Sequence, residues 1–164
     1  MVTILMLTVK LVGNLVTASD IQISRYLVLS LEILDSLNGI LTGLEEMGEK
    51  EAIKCILWTL SQLVVRDEEV LSALFEQSFK WGFEYLFSQL KALRHEASIF
   101  VLNFLKVCEP SHFLQFIYNK GLTKLCGLLK PAKGKELCLL LSLLRTIICS
   151  CDELSHSQRK AILS

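Results

Sequence analysis

The chain has 164 residues, 52% of them hydrophobic, and its 17 basic and 17 acidic side chains give a formal net charge of zero. This length allows one domain with a substantial core. The charge balance argues against a protein that neutralises many phosphates, so we expect no nucleic-acid partner. Charged residues such as Lys10 and Arg145 interrupt the most apolar stretches, so we expect no membrane span, no signal peptide and a soluble intracellular protein.

Apolar residues recur at helical spacing along almost the whole chain, and no segment shows the alternation of a strand or hairpin. The pattern predicts helices over residues 3–17, 21–29, 31–44, 49–66, 68–77, 79–90, 92–107, 110–119, 121–130, 134–151 and 153–163. Connections of only a few residues in an all-helical chain predict packed antiparallel helices.

The long helices repeat along the chain. Equivalent positions are Lys10, Trp58, Ile99 and Ser142, with successive spacings of 48, 41 and 43 residues, and the longer first step predicts an insertion near residues 33–43. A period of about 40 to 47 residues with two or three helices per repeat is typical of armadillo and HEAT proteins, whose repeats stack into a superhelix. We therefore predict an all-α, right-handed armadillo/HEAT-type solenoid of about three to four repeats. It would form a single domain over residues 1–164 with an incomplete first repeat.

The first three long helices each carry an amide opposite a predicted core stripe. The stripes are Leu5, Val9, Val12, Leu15 and Val16; then Ile53, Ile56, Leu57, Leu60, Leu63 and Val64; then Leu93, Ala97, Phe100, Val101, Phe104 and Cys108. Opposite them lie Lys10 and Asn14, Trp58 and Gln62, and Ile99 and Asn103. Side-by-side packing of these helices would align the amides, which can pair with the N–H and C=O of an extended peptide. An aromatic ring one turn earlier can hold a lysine stem. A core role for Trp58 and a merely solvated polar face remain as alternatives.

Several segments resemble importin-α, the armadillo-repeat family of adaptors for nuclear localisation signals. "KLVGNLVTASD" is similar to the family's R-x-x-G-N-I-V-T-G-x-D, "WTLSQL" to W-T-x-S-N-I, and "HEASIFVLNFL" to K-E-A-A-W-A-x-x-N. The resemblance covers most of residues 5–148, in the family's order. It implies the C-terminal half of the repeat array, which holds the minor signal-binding site.

This resemblance implies a set of peptide-binding residues: Asn14, Trp58, Gln62, Glu96, Asn103 and Asp20. The ladder residues would grip the peptide backbone, while Glu96 and Asp20 would contact cargo lysines. The chain departs from the family pattern where Gln62 replaces an asparagine, Ile99 a tryptophan and Cys55 a glutamate.

Two functions follow as expectations. The first is an adaptor that binds Lys/Arg-rich signal peptides in extended form for nuclear import, located in the cytoplasm and nucleus, with other transport factors as further partners. The second is an armadillo/HEAT-type interaction scaffold without signal-peptide binding. No motif for nucleophilic, acid–base or phosphate chemistry is found, so we expect neither an enzyme nor a cofactor.

The cysteines and the first helix complete the sequence-based expectations. Six cysteines without paired spacing lie in apolar helical patterns, which predicts buried, reduced thiols rather than a metal site: Cys55, Cys108, Cys126, Cys138, Cys149 and Cys151. We expect the chain to start at the third helix of a repeat, which would expose Leu5, Leu7 and Leu11. Such an apolar end favours a partner or self-association.

Overall fold

The computed structural model describes residues 2–17 and 21–154, and throughout this part of the chain the regular structure is helical, without strands. The helices are α1 (Val2–Val16), α2 (Ile21–Arg25), α3 (Ile33–Met47), α4 (Lys50–Leu63), α5 (Glu68–Gln77), α6 (Phe79–Leu86), α7 (Lys91–Leu105), α8 (Pro110–Tyr118), α9 (Gly121–Leu129) and α10 (Lys135–Glu153). A π-helical turn, Tyr26–Ser30, continues α2. The all-α class is confirmed. The helix predicted at 153–163 lies almost entirely outside the described residues.

Local chemistry explains where several helices begin and end. Helix α3 passes through Gly43, ends at Met47 and is capped by Gly48, whose φ of 70° lets the Glu49 N–H donate to the Leu44 carbonyl at 3.0 Å. Helix α5 begins after Asp67, whose carboxylate accepts from the Val70 N–H at 3.1 Å. Helix α8 begins at Pro110, as predicted, because a first-turn N–H has no partner within a helix.

Helices α1, α4, α7 and α10 pack in chain order. Helix α4 lies between α1 and α7, and α7 also packs against α10. The other helices fill the intervals: α3 contacts α4 and α5, α6 contacts α7, and α9 contacts α8 and α10. Helices α4 and α7 contribute many of the fully buried side chains of this core, including Leu57, Leu60, Leu63, Phe100 and Phe104.

The predicted core stripes of α4 and α7 are buried except for their last members, Val64 and Cys108, which are half-buried. In α1 the prediction was wrong at Leu15, which is 53% exposed. Gly13 is buried instead, because its missing side chain lets α1 approach α4 closely. A Cβ at Gly13 would lie 2.3 Å from Cζ3 of Trp58. This contact turns Leu15 outward.

Two further findings concern the surface. The prediction of buried thiols was wrong for Cys126, Cys138 and Cys149, which are exposed. Their helices, α9 and α10, lie at the end of the described row of helices, where fewer of the described elements contact them. Among the described residues no single helix is long and apolar enough to cross a bilayer. The segments Ile21–Ser30 and Ile33–Met47 reach that length and composition only as a pair bent by 71°.

Candidate peptide-binding groove

Four of the predicted site residues line two pockets on the α1, α4 and α7 side of the molecule. Trp58 and Glu96 belong to the indole pocket, of about 140 Å³, which is completed by Met6, Lys10, Glu51, Lys54 and Cys55. Gln62 and Asn103 belong to the amide pocket, of about 330 Å³, which is completed by Val16, Thr17, Ile21, Ser61, Val64, Val65 and Arg66. Because Trp58 and Gln62 are one helical turn apart on α4, the two pockets are neighbours.

Trp58 is half-buried, so it belongs neither wholly to the core nor wholly to the surface. Its six-membered ring lies against Gly13 of α1, and the side chain also lines the indole pocket. The next residue, Thr59, donates a buried hydrogen bond to the Val9 carbonyl at 3.1 Å, which ties α4 to α1 at this level. The ring is therefore held in a fixed position by the α1–α4 contact, as a binding wall requires.

Ser61 positions both amides of the amide pocket. Gln62 Nε2 donates to Ser61 Oγ at 3.1 Å, and Asn103 Nδ2 donates to the Ser61 carbonyl at 3.3 Å. Ser61 Oγ in turn donates to the Trp58 carbonyl at 2.6 Å. A primary amide has two donor hydrogens and one acceptor oxygen. Each amide, half-buried in the pocket wall, thus retains one donor and its acceptor for a ligand.

Glu96 is a half-buried carboxylate in the indole pocket. Within the described part of the chain it forms neither a salt bridge nor a hydrogen bond. Burial raises the pKa of the Glu96 carboxyl, and His95 and Lys54 oppose part of this shift. An unpaired, partly desolvated carboxylate beside an indole suits a primary ammonium, which could pair with the charge while its methylene stem contacts the ring.

The two remaining predicted residues are not part of these pockets. Asn14 is exposed on α1 and lines neither of them. Asp20 lies outside the described residues.

Two contributors to the site, Ser61 and Lys54, were not predicted from the sequence, whereas Lys10 was placed opposite the core stripe of its helix. Ser61 holds the amides, and Lys10 and Lys54 place positive charge in the indole pocket. Lys54 is 3.6 Å from Glu51, one turn back on α4. The signal for Ser61 was its position three residues after Trp58, where a helical serine can donate back to a carbonyl. Lys54 had no such signal, because its grouping with Lys10 depends on how α1 and α4 pack.

A third pocket, the lysine pocket, opens beside the indole pocket near the first turns of α7 and α10. It has a volume of about 410 Å³ and is lined by Lys54, Lys91, Ala92, His95, Glu96, Lys133, Lys135 and Glu136. Glu136 is paired with Arg94, whose Nη2 lies 2.5 Å from its Oε1. Lys54 and Glu96 line both pockets, so the indole pocket and the lysine pocket adjoin.

In the described ranges no group of three or more His, Cys, Asp or Glu side chains is placed to hold a metal ion. Compared with protein-family models, curated proteins and solved structures, the chain matches none of them. The chemistry of the groove is therefore the basis for assigning a function.

Proposed function

We propose that the protein is an armadillo-type solenoid, an interpretation supported by the regular offset of its long-range hydrogen bonds. Asn38 bonds Ser78, Glu45 bonds Tyr85, and Ser61 bonds Asn103, at sequence separations of 40, 40 and 42 residues. Arg25–Asp67 and Arg94–Glu136 are each separated by 42 residues. These separations are close to the predicted repeat spacings of 41 and 43 residues. Stacked repeats contact only their neighbours, so bonds offset by a single repeat length are what a solenoid produces.

We propose further that the protein is an importin-α-like adaptor that binds Lys/Arg-rich signal peptides in extended form, for import into the nucleus from the cytoplasm. The observation that carries the proposal is the unpaired carboxylate of Glu96 beside Trp58, one pocket away from two amides. A peptide lysine would enter the indole pocket, with its ammonium at Glu96 and its stem on Trp58. Gln62 and Asn103 would pair with the peptide backbone, which makes binding tolerant of the other side chains.

A second candidate function is a protein-interaction scaffold without signal-peptide binding. It is favoured by Lys10 and Lys54, because their ammonium groups share the indole pocket with Glu96 and would repel a ligand cation. The exposed apolar residues of α1, among them Leu7 and Leu11, also favour a contact with a folded partner.

Fluorescence anisotropy with a labelled Lys-rich peptide and its lysine-to-alanine control separates the two functions. The adaptor should bind the basic peptide and not the control. Asn103→Ala should weaken binding about 5- to 100-fold, because a lost hydrogen bond leaves a backbone group unpaired. Trp58→Ala should weaken it comparably. Glu96→Gln should weaken it less, and its effect should shrink as salt rises.

Matched control variants carry the same chemical change elsewhere on the surface. Gln115→Ala on α8 and Glu76→Gln on α5 alter exposed residues that line none of the three pockets, and neither should change binding. Equal binding of the basic peptide and its alanine control would reject the adaptor and leave the scaffold. Unfolding of the Trp58→Ala variant, seen by circular dichroism, would instead make Trp58 a core residue.

A further inference from the structure

The lysine pocket carries more positive charge than its described lining residues balance. Four lysines line it: Lys54, Lys91, Lys133 and Lys135. Of its two carboxylates, Glu136 is already neutralised by Arg94, whose side chain is only 12% exposed. The other is Glu96, which also faces the indole pocket. Lys91, Lys133 and Lys135 are exposed. Within the described residues, none of these three lysines forms a salt bridge.

The position of this charge constrains the ligand of the neighbouring pocket. Lys54 and Glu96 line both pockets, so a peptide seated at Trp58 and extending past Glu96 enters the lysine pocket. An extended chain advances about 3.3 Å per residue and points alternate side chains in opposite directions. Side chains within a few residues of the bound lysine therefore meet the lysine pocket. Further basic residues on that side would be repelled, and acidic ones would be attracted.

We infer that the groove selects a peptide of mixed charge, in which a lysine seated at Glu96 and Trp58 is flanked on one side by acidic residues. The acidic residues lie in the lysine pocket and pair with Lys91, Lys133 and Lys135. The inference rests on the proposed function for the position of the bound lysine. It adds the class of ligand, because a uniformly basic peptide would complement the carboxylate of the indole pocket but not the positive charge of the lysine pocket.

The test compares three labelled peptides of equal length by fluorescence anisotropy at low and high salt. One has a central lysine with an acidic flank, one has the lysine with a neutral flank, and one has the acidic flank with the lysine replaced by alanine. The first should bind most tightly. Exposed ion pairs contribute little individually, so we expect its advantage over the neutral-flank peptide to be about 3- to 10-fold, and smaller at high salt.

Two double variants with the same change in charge locate the effect. Lys91→Gln with Lys133→Gln should reduce the affinity for the acidic-flank peptide to that for the neutral-flank peptide, whose own affinity should not fall. Lys106→Gln with Lys120→Gln alters exposed lysines outside the pocket and should leave that preference intact. Equal binding of the acidic-flank and neutral-flank peptides, or equal effects of the two double variants, would overturn the inference while leaving the lysine site standing.

The third peptide, which has the acidic flank but no lysine, tests the proposed lysine site itself. If it binds as tightly as the first, the lysine pocket binds acidic peptide and the lysine site at Glu96 is rejected, which also overturns the mixed-charge ligand. If none of the three peptides binds, both proposals fail.

Discussion

The ionised carboxylate of Glu96 would favour the binding of a cation but disfavours folding. Desolvation raises the pKa of its carboxyl, which means that the folded state holds the proton more tightly than the unfolded chain does. Stability is therefore fullest below the ordinary pKa of 4.5 and declines as pH rises through the elevated value. A residue that weakens its own fold when ionised is typical of a functional site.

Replacement of Glu96 by glutamine should consequently stabilise the protein at neutral pH while weakening its binding of basic peptide. Urea denaturation at a series of pH values measures the first effect, and the gain should disappear as pH falls through the pKa of Glu96. Glu76→Gln, which alters an exposed carboxylate, should show neither change. A neutral-pH loss of stability in Glu96→Gln would mean that the carboxylate supports the fold.

Gly13 controls the position of Trp58. Gly13→Ala should destabilise the protein by about 1–3 kcal/mol, as overpacking does, because the new methyl would lie 2.3 Å from the indole ring. The tryptophan emission should shift as the ring is displaced. Gly43→Ala in α3 is the matched control, since a Cβ there meets nothing within 4 Å. It should stabilise by about 0.5–1 kcal/mol through helix propensity. Denaturant titrations that rank the two variants in the opposite order would contradict the assigned contact.

The residues of the site were predictable only in part. A 100° rotation per residue is enough to place Trp58, Gln62 and Asn103 away from the core stripe, because it depends on one helix at a time. The depth of each side chain depends on the neighbouring helix. The fit of Trp58 against Gly13 and the grouping of Lys10 with Glu96 follow from how α1, α4 and α7 are aligned, which periodicity does not encode.

At the scale of elements, Asp67 joins the start of α5 to the end of α2. The hydrogen bond from the Val70 N–H is the main cause of the lowered pKa of the Asp67 carboxyl, and the pairing with Arg25 lowers this pKa further. Arg25 Nη1 lies 2.6 Å from Asp67 Oδ2. Both contacts are stronger with the ionised form of the carboxylate. Their contribution is therefore present above the ordinary pKa of 3.8 and is lost as pH falls through the lowered value.

Asp67→Ala should cost about 0.5–2 kcal/mol, the range measured for lost helix N-caps. Asp35→Ala removes an exposed carboxylate from the first turn of α3 without removing a cap and should change stability by at most about 0.5 kcal/mol. Thermal unfolding followed by circular dichroism at neutral pH compares them. A cost for Asp67→Ala no larger than for Asp35→Ala would show that α5 does not depend on its cap.

Helix boundaries show where element-level prediction fails. The existence of the helices came from long apolar periodicity, which is a strong signal. The end of α3 was placed at residue 44, next to Gly43, whereas the helix continues to Met47. Gly43 is tolerated within the helix, and Gly48 is the residue that adopts the positive φ of the helix end. Composition alone does not tell these two glycines apart.

At the scale of the whole molecule, the repeat spacing predicted the neighbours correctly: α1, α4, α7 and α10 pack in that order. The repeat spacing does not predict which residues lie on the side of α1 that faces away from α4. On that side α1 exposes four apolar residues, which we call the α1 stripe: Ile4, Leu7, Leu11 and Leu15. The single charged residue of helix α1 is Lys10. An apolar stripe of this kind, nearly free of charge, can pair with its own copy about a two-fold axis.

We therefore expect the protein to dimerise through the α1 stripe, with the two α1 helices antiparallel so that Leu7 of one copy meets Leu11 of the other. Burial of this surface would contribute about 25 cal/mol per Å² of apolar area. Leu7→Gln with Leu11→Gln should shift sedimentation velocity toward monomer. Leu31→Gln with Met47→Gln removes comparable exposed apolar side chains outside the stripe and should leave the dimer intact. A wild-type sedimentation coefficient that stays monomeric as concentration rises would rule out this self-association and assign the stripe to another partner.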